Sequence, residues 1–368
     1  MRYRITHRTA YDYASPVHES FNEVRLQPVS DALQTCLDFD LAINLPTTVI
    51  TYRDYYGNSV HDFGVPYLHN HLTIEATSDV ITFAALDESL TGPRDGDPDA
   101  SPRLATLVAD ARFADEYAEY LGPSAYVALD PAVEELSRML LTVDPETTAY
   151  AYVRRASEYI HTHFTYQVGV TTVQSRVAEV IAGGRGVCQD FAHLFIALCR
   201  GVGLPARYVS GYLGSVKEST ASHAWAEAYV PPYGWVSMDP TVGGPCTGRH
   251  VKIAIGRDYA DVAILRGTYR GGAEAMLTVG VQSTVLNDTQ GVAGARGLGT
   301  VAGRGKLIQY QTLGTMQQFQ RQGGMTQTLG GMSQTIGSYP ESPHGPRDEA
   351  EVPRQQPQQQ QQAAPNLR

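Results

Sequence analysis

The sequence predicts an α+β protein: a small antiparallel β unit at the N-terminus, helices packed on a second antiparallel sheet, and a disordered C-terminal tail. Three observations lead there. Residues 1 to about 83 are rich in β-branched and aromatic residues punctuated by turn signals. Three helical patterns then give way to consecutive strands, without the strand-helix alternation that a parallel sheet requires. From about residue 288, Gly, Gln, Thr and Pro dominate, a composition that buries too little apolar surface to offset chain entropy.

In order along the chain, RYRITHRTAY, FDLAINL, TVITYRDYYGNSVHDFGV and HLTIEATSDVITF read as strands, with turns at LPT and YGN, and place a β unit at 1–85. LDESLTGPRDGDPDASP (86–102) reads as a linker or exposed loop. A core over 103–282 begins with a helical lead-in. Asp130 before Pro131 is an N-cap followed by proline at the first helical position, Glu134 and Glu135 suit the positive helix end, and Val133, Leu136 and Leu140 share a face. Asp144 and Pro145 repeat the signal before a helix carrying Ala149, Val153, Ala156 and Ile160. Residues 188–200 form a third helix with Phe191, Leu194, Phe195 and Leu198 on one side, ended by Gly201. ARYVSGYL, SHAWAEAYV, GWVSMDP, VKIAIG and AEAMLTVGVQ supply the strands, and 283–368 is the tail, with QTLGTM, QTLGGM and QTIGSY as imperfect repeats.

Composition narrows the function. The 368 residues are 42% hydrophobic and 18% charged, with no apolar run of the about 18 residues that a membrane span needs. MRYRITHRTAYDY alternates where a signal peptide would be continuously apolar, and Cys36, Cys188, Cys199 and Cys246 have no disulfide-like spacing. The expectation is a soluble cytoplasmic protein with reduced thiols. The net charge of −10, with seven Lys/Arg against five Asp/Glu in 283–368, puts the acidity in the folded part and excludes a general nucleic-acid binder.

The stretch GRGVCQDF poses the chemical question. A helix-borne cysteine is commonly a small core residue, but Cys188 lies in the first turn of its helix, where unpaired N–H groups and the dipole favour a thiolate. Gly183, Gly184 and Gly186 remove bulk from the approach, whereas Asp190 opposes a thiolate unless it points away. A nucleophilic thiol needs an imidazole. His223 opens an alternating strand in which Ala224, Ala226 and Ala228 form one thin face and His223, Trp225, Glu227 and Tyr229 the other. The imidazole in turn needs an orienting acid, and Asp239 closes the next strand after a PPYG turn, which places it roughly opposite 223–226. The Cys188 N–H is the natural first oxyanion donor; Tyr166, Gln189 and Trp225 are candidates for a second donor or a substrate contact.

A zinc site is a weaker reading. Cys188 and Cys199 would be about 16 Å apart along one helix, and Cys246 with His250, or His161 with His163, lacks a second pair of ligands. No metal or cofactor is expected.

GVCQDFAHLFIALCRGVGLPARYVSGY followed by SHAWAEAYVPPYGWVSMDPT resembles the core of the transglutaminase-like superfamily over about 145–245, and the preceding β segment resembles the N-terminal region of bacterial transglutaminase-like proteins. The resemblance implies a papain-like fold with Cys188 as nucleophile, His223 as base and Asp239 as orienting acid. It implies a peptide or protein substrate and amide chemistry through a thioester. Hydrolysis by a cysteine protease or amidase is the leading expectation. Protein-glutamine gamma-glutamyl transfer and a non-enzymatic binding scaffold are the alternatives, with only weak contacts expected of the tail and no nucleic-acid or membrane partner.

Overall fold

The computed structural model describes residues 1–83, 92–93, 99–142, 144, 146–171, 175–214, 222–286 and two short strands at 325–329 and 332–337. Most of the predicted linker therefore lies outside the described residues. Where it resumes, Ser101 is buried and its Oγ accepts from Tyr150 N–H at 3.1 Å.

The first strand, β1 (Arg2–Val24), is long because its odd-numbered residues from Tyr3 to Tyr13 are buried without a break. Ala14, Ser15 and Pro16 interrupt that alternation, and the pairing register shifts between Asp12 and Val17. The strand thus serves two groups of partners. The N-terminal segment continues with β2 (Gln34–Ile43), β3 (Val49–Arg53), β4 (Ser59–Val65) and β5 (His69–Thr82). The first half of β1 pairs with β5, which pairs with β2, and the second half pairs with β4, which pairs with β3; all are antiparallel.

The core adds two short strands, β6 (Thr165–Tyr166) and β7 (Arg185–Gly186), and a five-stranded antiparallel sheet. Its members are β8 (Ala206–Leu213), β9 (Ser222–Val230), β10 (Gly234–Asp239), β11 (Gly244–Pro245) and β12 (His250–Gly256), in the spatial order β11-β10-β9-β8-β12.

Two strands after this sheet depart from expectation. β13 (Leu265–Arg270), not marked as a strand by sequence, and β14 (Ala275–Val285), placed by sequence with the core strands, return to the N-terminal sheet and pair with β1. Alternation identifies a strand but not its partner: Tyr269 of β13 is buried edge-on against Tyr13 of β1 at 5.0 Å. β14 also carries the fold three residues into the predicted tail. Within that tail Met325–Leu329 and Met332–Gly337 form a hairpin whose second strand pairs in parallel with β13, and the remaining tail residues, with the disorder expected of them, lie outside the described ones.

The helix carrying Cys188 runs Cys188–Gly201 and is buried from Cys188 to Arg200, so it is the centre of the core rather than a surface helix. Ala224, Ala226 and Ala228 of β9 are buried in the same cluster and permit the close approach expected of a thin face. Helices Pro131–Thr142 and Ala149–His163 pack against it, with Ser137 Oγ and Tyr152 OH both donating to Leu198 O. The second of these is not capped by Asp144. Thr148 takes that position, its Oγ1 accepting from Ala151 N–H at 3.2 Å, while Asp144 forms a turn by accepting from Glu146 N–H.

The N-terminal segment completes the five-stranded sheet. β12 is an edge strand, and an edge left bare exposes unpaired backbone groups. Gln34 donates to Lys252 O and accepts from Lys252 N–H, both at 2.8 Å, while Asn58 does the same at Ile255, again at 2.8 Å each. Two side-chain amides thus stand in for a neighbouring strand.

The same sheet buries a charge cluster. Glu227 of β9 is fully buried and is met by Arg207 of β8 at 2.7 Å, Ser237 of β10 at 2.8 Å and Lys252 of β12 at 2.5 Å, with Lys252 also reaching Asp31 at 3.0 Å. Burial pushes the Glu227 pKa up, but Lys252 and Arg207 outweigh it and hold it at about 2. Removing one partner of such a set is costly because the others stay buried and unpaired. Glu227→Ala should lower stability by about 3–5 kcal/mol in urea unfolding. The advantage of the wild type should be full above the ordinary glutamate value of 4.5 and shrink as pH falls towards about 2. An unchanged urea midpoint would contradict the role given to Glu227.

Candidate active site

Cys188 is the first residue of its helix, and the turn before it explains why it stands there. Val187 is extended, and Asp190 reaches back to accept its N–H at 2.8 Å and the Thr171 hydroxyl at 2.6 Å. The carboxylate that sequence reading set against a thiolate is thus turned to capping, and burial raises its pKa despite both bonds. This also revises the role of one glycine. A Cβ at Gly186 would lie 2.8 Å from Asp190 Cβ, so Gly186 makes room for the cap rather than for a substrate.

β6 and β7 bring Tyr166 to the same place. Tyr166 pairs with Gly186, and Gln167 N–H donates to Gly186 O at 2.9 Å. Its ring is half exposed, and its phenol pKa is raised by burial and by the neighbouring Cys188, Asp190 and Asp239. It therefore stands at the open side of the site.

β9 and β10 supply the other two residues. Their register pairs Val236 with Ala228, Ser237 with Glu227 and Met238 with Ala226; one more step sets Asp239 opposite Trp225 and diagonal to His223 on the same face. His223 Nε2 meets Asp239 Oδ2 at 2.7 Å, and a hydrogen bond also links His223 to Cys188. With Nε2 engaged by Asp239, Nδ1 is the nitrogen left for the sulfur. Cys188, His223 and Asp239 are all buried.

Electrostatics follow from these contacts. Burial disfavours a charged His223, but its bonds to Asp239 and Cys188 outweigh burial and raise the pKa to about 10. Burial likewise works against an ionised Asp239, yet His223 and His250 hold it well below the usual carboxylate range.

His250 is the residue that sequence reading missed in this role. Its Nε2 lies 3.1 Å from Asp239 Oδ2, and Thr241 N–H donates to Oδ1 at 2.9 Å. His250 starts β12, two strands from β9, and no local sequence signal announces the contact. Among the described residues, His223, Asp239 and His250 are also the group that could hold a metal, with ligand atoms within 4.8 Å of one another. Their contacts to the shared oxygen, 2.7 and 3.1 Å, are hydrogen-bond lengths, shorter than the about 3.3 Å between ligands of a tetrahedral zinc. The residues fit a hydrogen-bonded trio better than a metal centre.

The remaining candidates fall elsewhere. Trp225 is buried, its ring against His223 at 6.2 Å and His250 at 5.2 Å, so it backs the imidazoles instead of facing a substrate. Gly211 is required for this: a Cβ there would lie 2.4 Å from the indole. Gln189, a candidate donor by sequence, is buried, and its Oε1 has no hydrogen-bond partner among the described residues. Cys199 is fully buried, burial pushes its thiol pKa up, and it packs. None of the four cysteines is in a disulfide, and no described helix is long and apolar enough to cross a membrane.

Known proteins resemble this chain in sequence and fold. Residues 139–240 match the profile of the transglutaminase-like superfamily, and residues 3–81 that of the bacterial transglutaminase-like N-terminal region. An uncharacterized protein of Mycobacterium leprae is 34% identical over 293 residues, which is 77% of this chain and 99% of that one. The chain belongs to the transglutaminase-like superfamily. A member solved to 1.9 Å, a proposed cysteine protease from Cytophaga hutchinsonii, is 25% identical with a TM-score of 0.57, covering 78% of this chain and 92% of its own. A protein-glutamine gamma-glutamyltransferase of Pseudomonas aeruginosa is 35% identical over 65 residues, 15% of this chain and 10% of that enzyme.

In this transglutaminase-like chain three buried histidines should titrate far apart. His223 is raised to about 10, whereas burial lowers both His7 and His193 to about 4. The stability that His223 contributes when charged is full below its ordinary 6.5 and lost as pH rises through about 10. Imidazole NMR at pH 8 should find His223 protonated and the other two neutral; a neutral His223 at that pH would contradict the assigned bonds.

Proposed function

We propose that this protein is a thiol-dependent acyl-transfer enzyme acting on peptide or side-chain amides, and that water is its usual acceptor. The observation that carries this reading is the 2.7 Å bond from His223 to a buried, ionised Asp239, with Cys188 among the groups that raise the His223 pKa.

The steps follow from that order. The Cys188 sulfur, its proton already held by His223, attacks the carboxamide carbon, and the carbonyl oxygen becomes an oxyanion. The Cys188 N–H, in the first helical turn where no intrahelical acceptor exists, is assigned as one donor to it, and Tyr166 as the second. The imidazolium passes its proton to the departing nitrogen, the C–N bond breaks, and a thioester remains on Cys188. Water then gives a proton to His223 as it attacks the thioester, releasing the acid and restoring the thiolate–imidazolium pair. Asp239 stays ionised throughout and sets which way the ring faces.

Similarity to the Cytophaga protein over most of both chains supports hydrolysis, whereas similarity to the Pseudomonas transferase over 65 residues supports an amine as acceptor. The same thioester serves both. A reducing compartment such as the cytoplasm suits a chain that depends on a free thiol and carries four cysteines outside any disulfide.

Glutamine-containing peptides incubated with the protein, with and without a primary amine, separate these outcomes by product mass. Free acid or cleaved peptide in both samples is expected; amine adducts in preference to acid would establish transfer instead. Cys188→Ala should abolish turnover without unfolding the protein, and Asp239→Ala should slow it by about 10³–10⁴-fold. Full activity in either variant would refute the assignment.

A further inference from the structure

The residue with most geometry and no role so far is His250. Its Nδ1 lies 3.0 Å from Thr247 N–H and 3.3 Å from Thr247 O; the shorter contact makes that nitrogen an acceptor and leaves the ring proton on Nε2. The Nε2–H then donates to Asp239 Oδ2 at 3.1 Å, the oxygen that also binds His223 at 2.7 Å. Thr241 N–H holds the other oxygen at 2.9 Å. A carboxylate with only His223 on it could rotate and offer either oxygen at several angles. With a donor on each oxygen besides His223, rotation breaks at least one bond.

The ring of His250 has little freedom of its own. Its side chain is 6% exposed, and the buried Trp225 indole meets it edge-on at 5.2 Å. The groups that titrate around it are Asp239 and His223 on the sheet, Cys246 and Lys252 lining the same small cavity, and Cys188 beyond His223. Lys252 is turned to Glu227 and Asp31, and leaves His250 to Asp239.

We propose that His250 is a positioning residue for the acyl transfer: as a neutral donor it holds Asp239 ionised and in line with His223, and it touches neither the sulfur nor the substrate. This rests on the reading of Cys188 as the nucleophile. Its loss lets Asp239 turn away, weakens the bond to His223, lowers the His223 pKa and makes the thiolate of Cys188 harder to form at low pH.

The test compares wild type with His250→Ala, His250→Gln and His250→Leu, each checked for folding by circular dichroism. Two readouts are taken: the pH dependence of Cys188 alkylation by iodoacetamide, and the titration of His223 by nitrogen-15 imidazole NMR. His250→Ala should move the acidic inflection of alkylation upward, cutting the rate at pH 6 by about tenfold per unit moved, and should move the His223 titration downward. Gln, which can still donate to Oδ2, should recover both readouts; Leu, which fills the space without donating, should not.

Recovery by Leu and not by Gln would reduce His250 to packing and overturn the proposal. So would an unmoved or raised His223 titration in His250→Ala. If wild-type Cys188 itself reacts only above about pH 8, the nucleophile reading fails. The His223 titrations then still decide whether His250 positions Asp239.

Discussion

Asp239 is a carboxylate taken completely out of water, and the rest of the site is arranged by that constraint. An ion in such a place persists only if its oxygens are hydrogen-bonded. Three donors meet the need: His223 and His250 on Oδ2 and the Thr241 N–H on Oδ1. They come from the start of β9, the start of β12 and the turn after β10, so one acid ties together three parts of the sheet. The orientation of His223, and through it the link to Cys188, is a consequence of how this one charge is satisfied.

The N-terminal segment takes part in the same arrangement. Gln34 and Asn58 close the outer edge of β12, the strand that begins with His250, and Asp31 joins Lys252 in the Glu227 cluster two residues further along it. His7 of β1 bonds to the Tyr212 hydroxyl on β8 at 2.8 Å, beside the Gly211 that faces His223. β13 and β14 then return from the core to pair with β1, so the chain crosses between the two sheets twice. The five-stranded sheet is held on one side by its helix and on its edge by the N-terminal segment.

What the sequence made legible was local. The thin alanine face of β9, the position of Cys188 in a first helical turn and the distance from His223 to Asp239 across a short turn depend on neighbours in the chain, and the geometry agrees with each. Long-range pairing was not legible. Nothing in VKIAIG marks His250 as a donor to Asp239, and the alternation of β14 suits any sheet edge, so its partner more than 260 residues earlier could not be read. The Asp190 side chain stood between these cases: its charge was visible, but its turn towards Val187 and Thr171 depends on a loop that passes over it.

The chemistry assigned to the trio predicts a covalent thioester on one thiol among four, and trapping it addresses the central claim without reference to the final acceptor. Protein mixed with glutamine-containing peptides, quenched in acid and mapped by mass spectrometry, should carry the acyl group on Cys188, removable by hydroxylamine and missing from His223→Ala. An adduct on Cys246 or Cys36, or one on Cys188 that forms equally well in His223→Ala, would contradict the account.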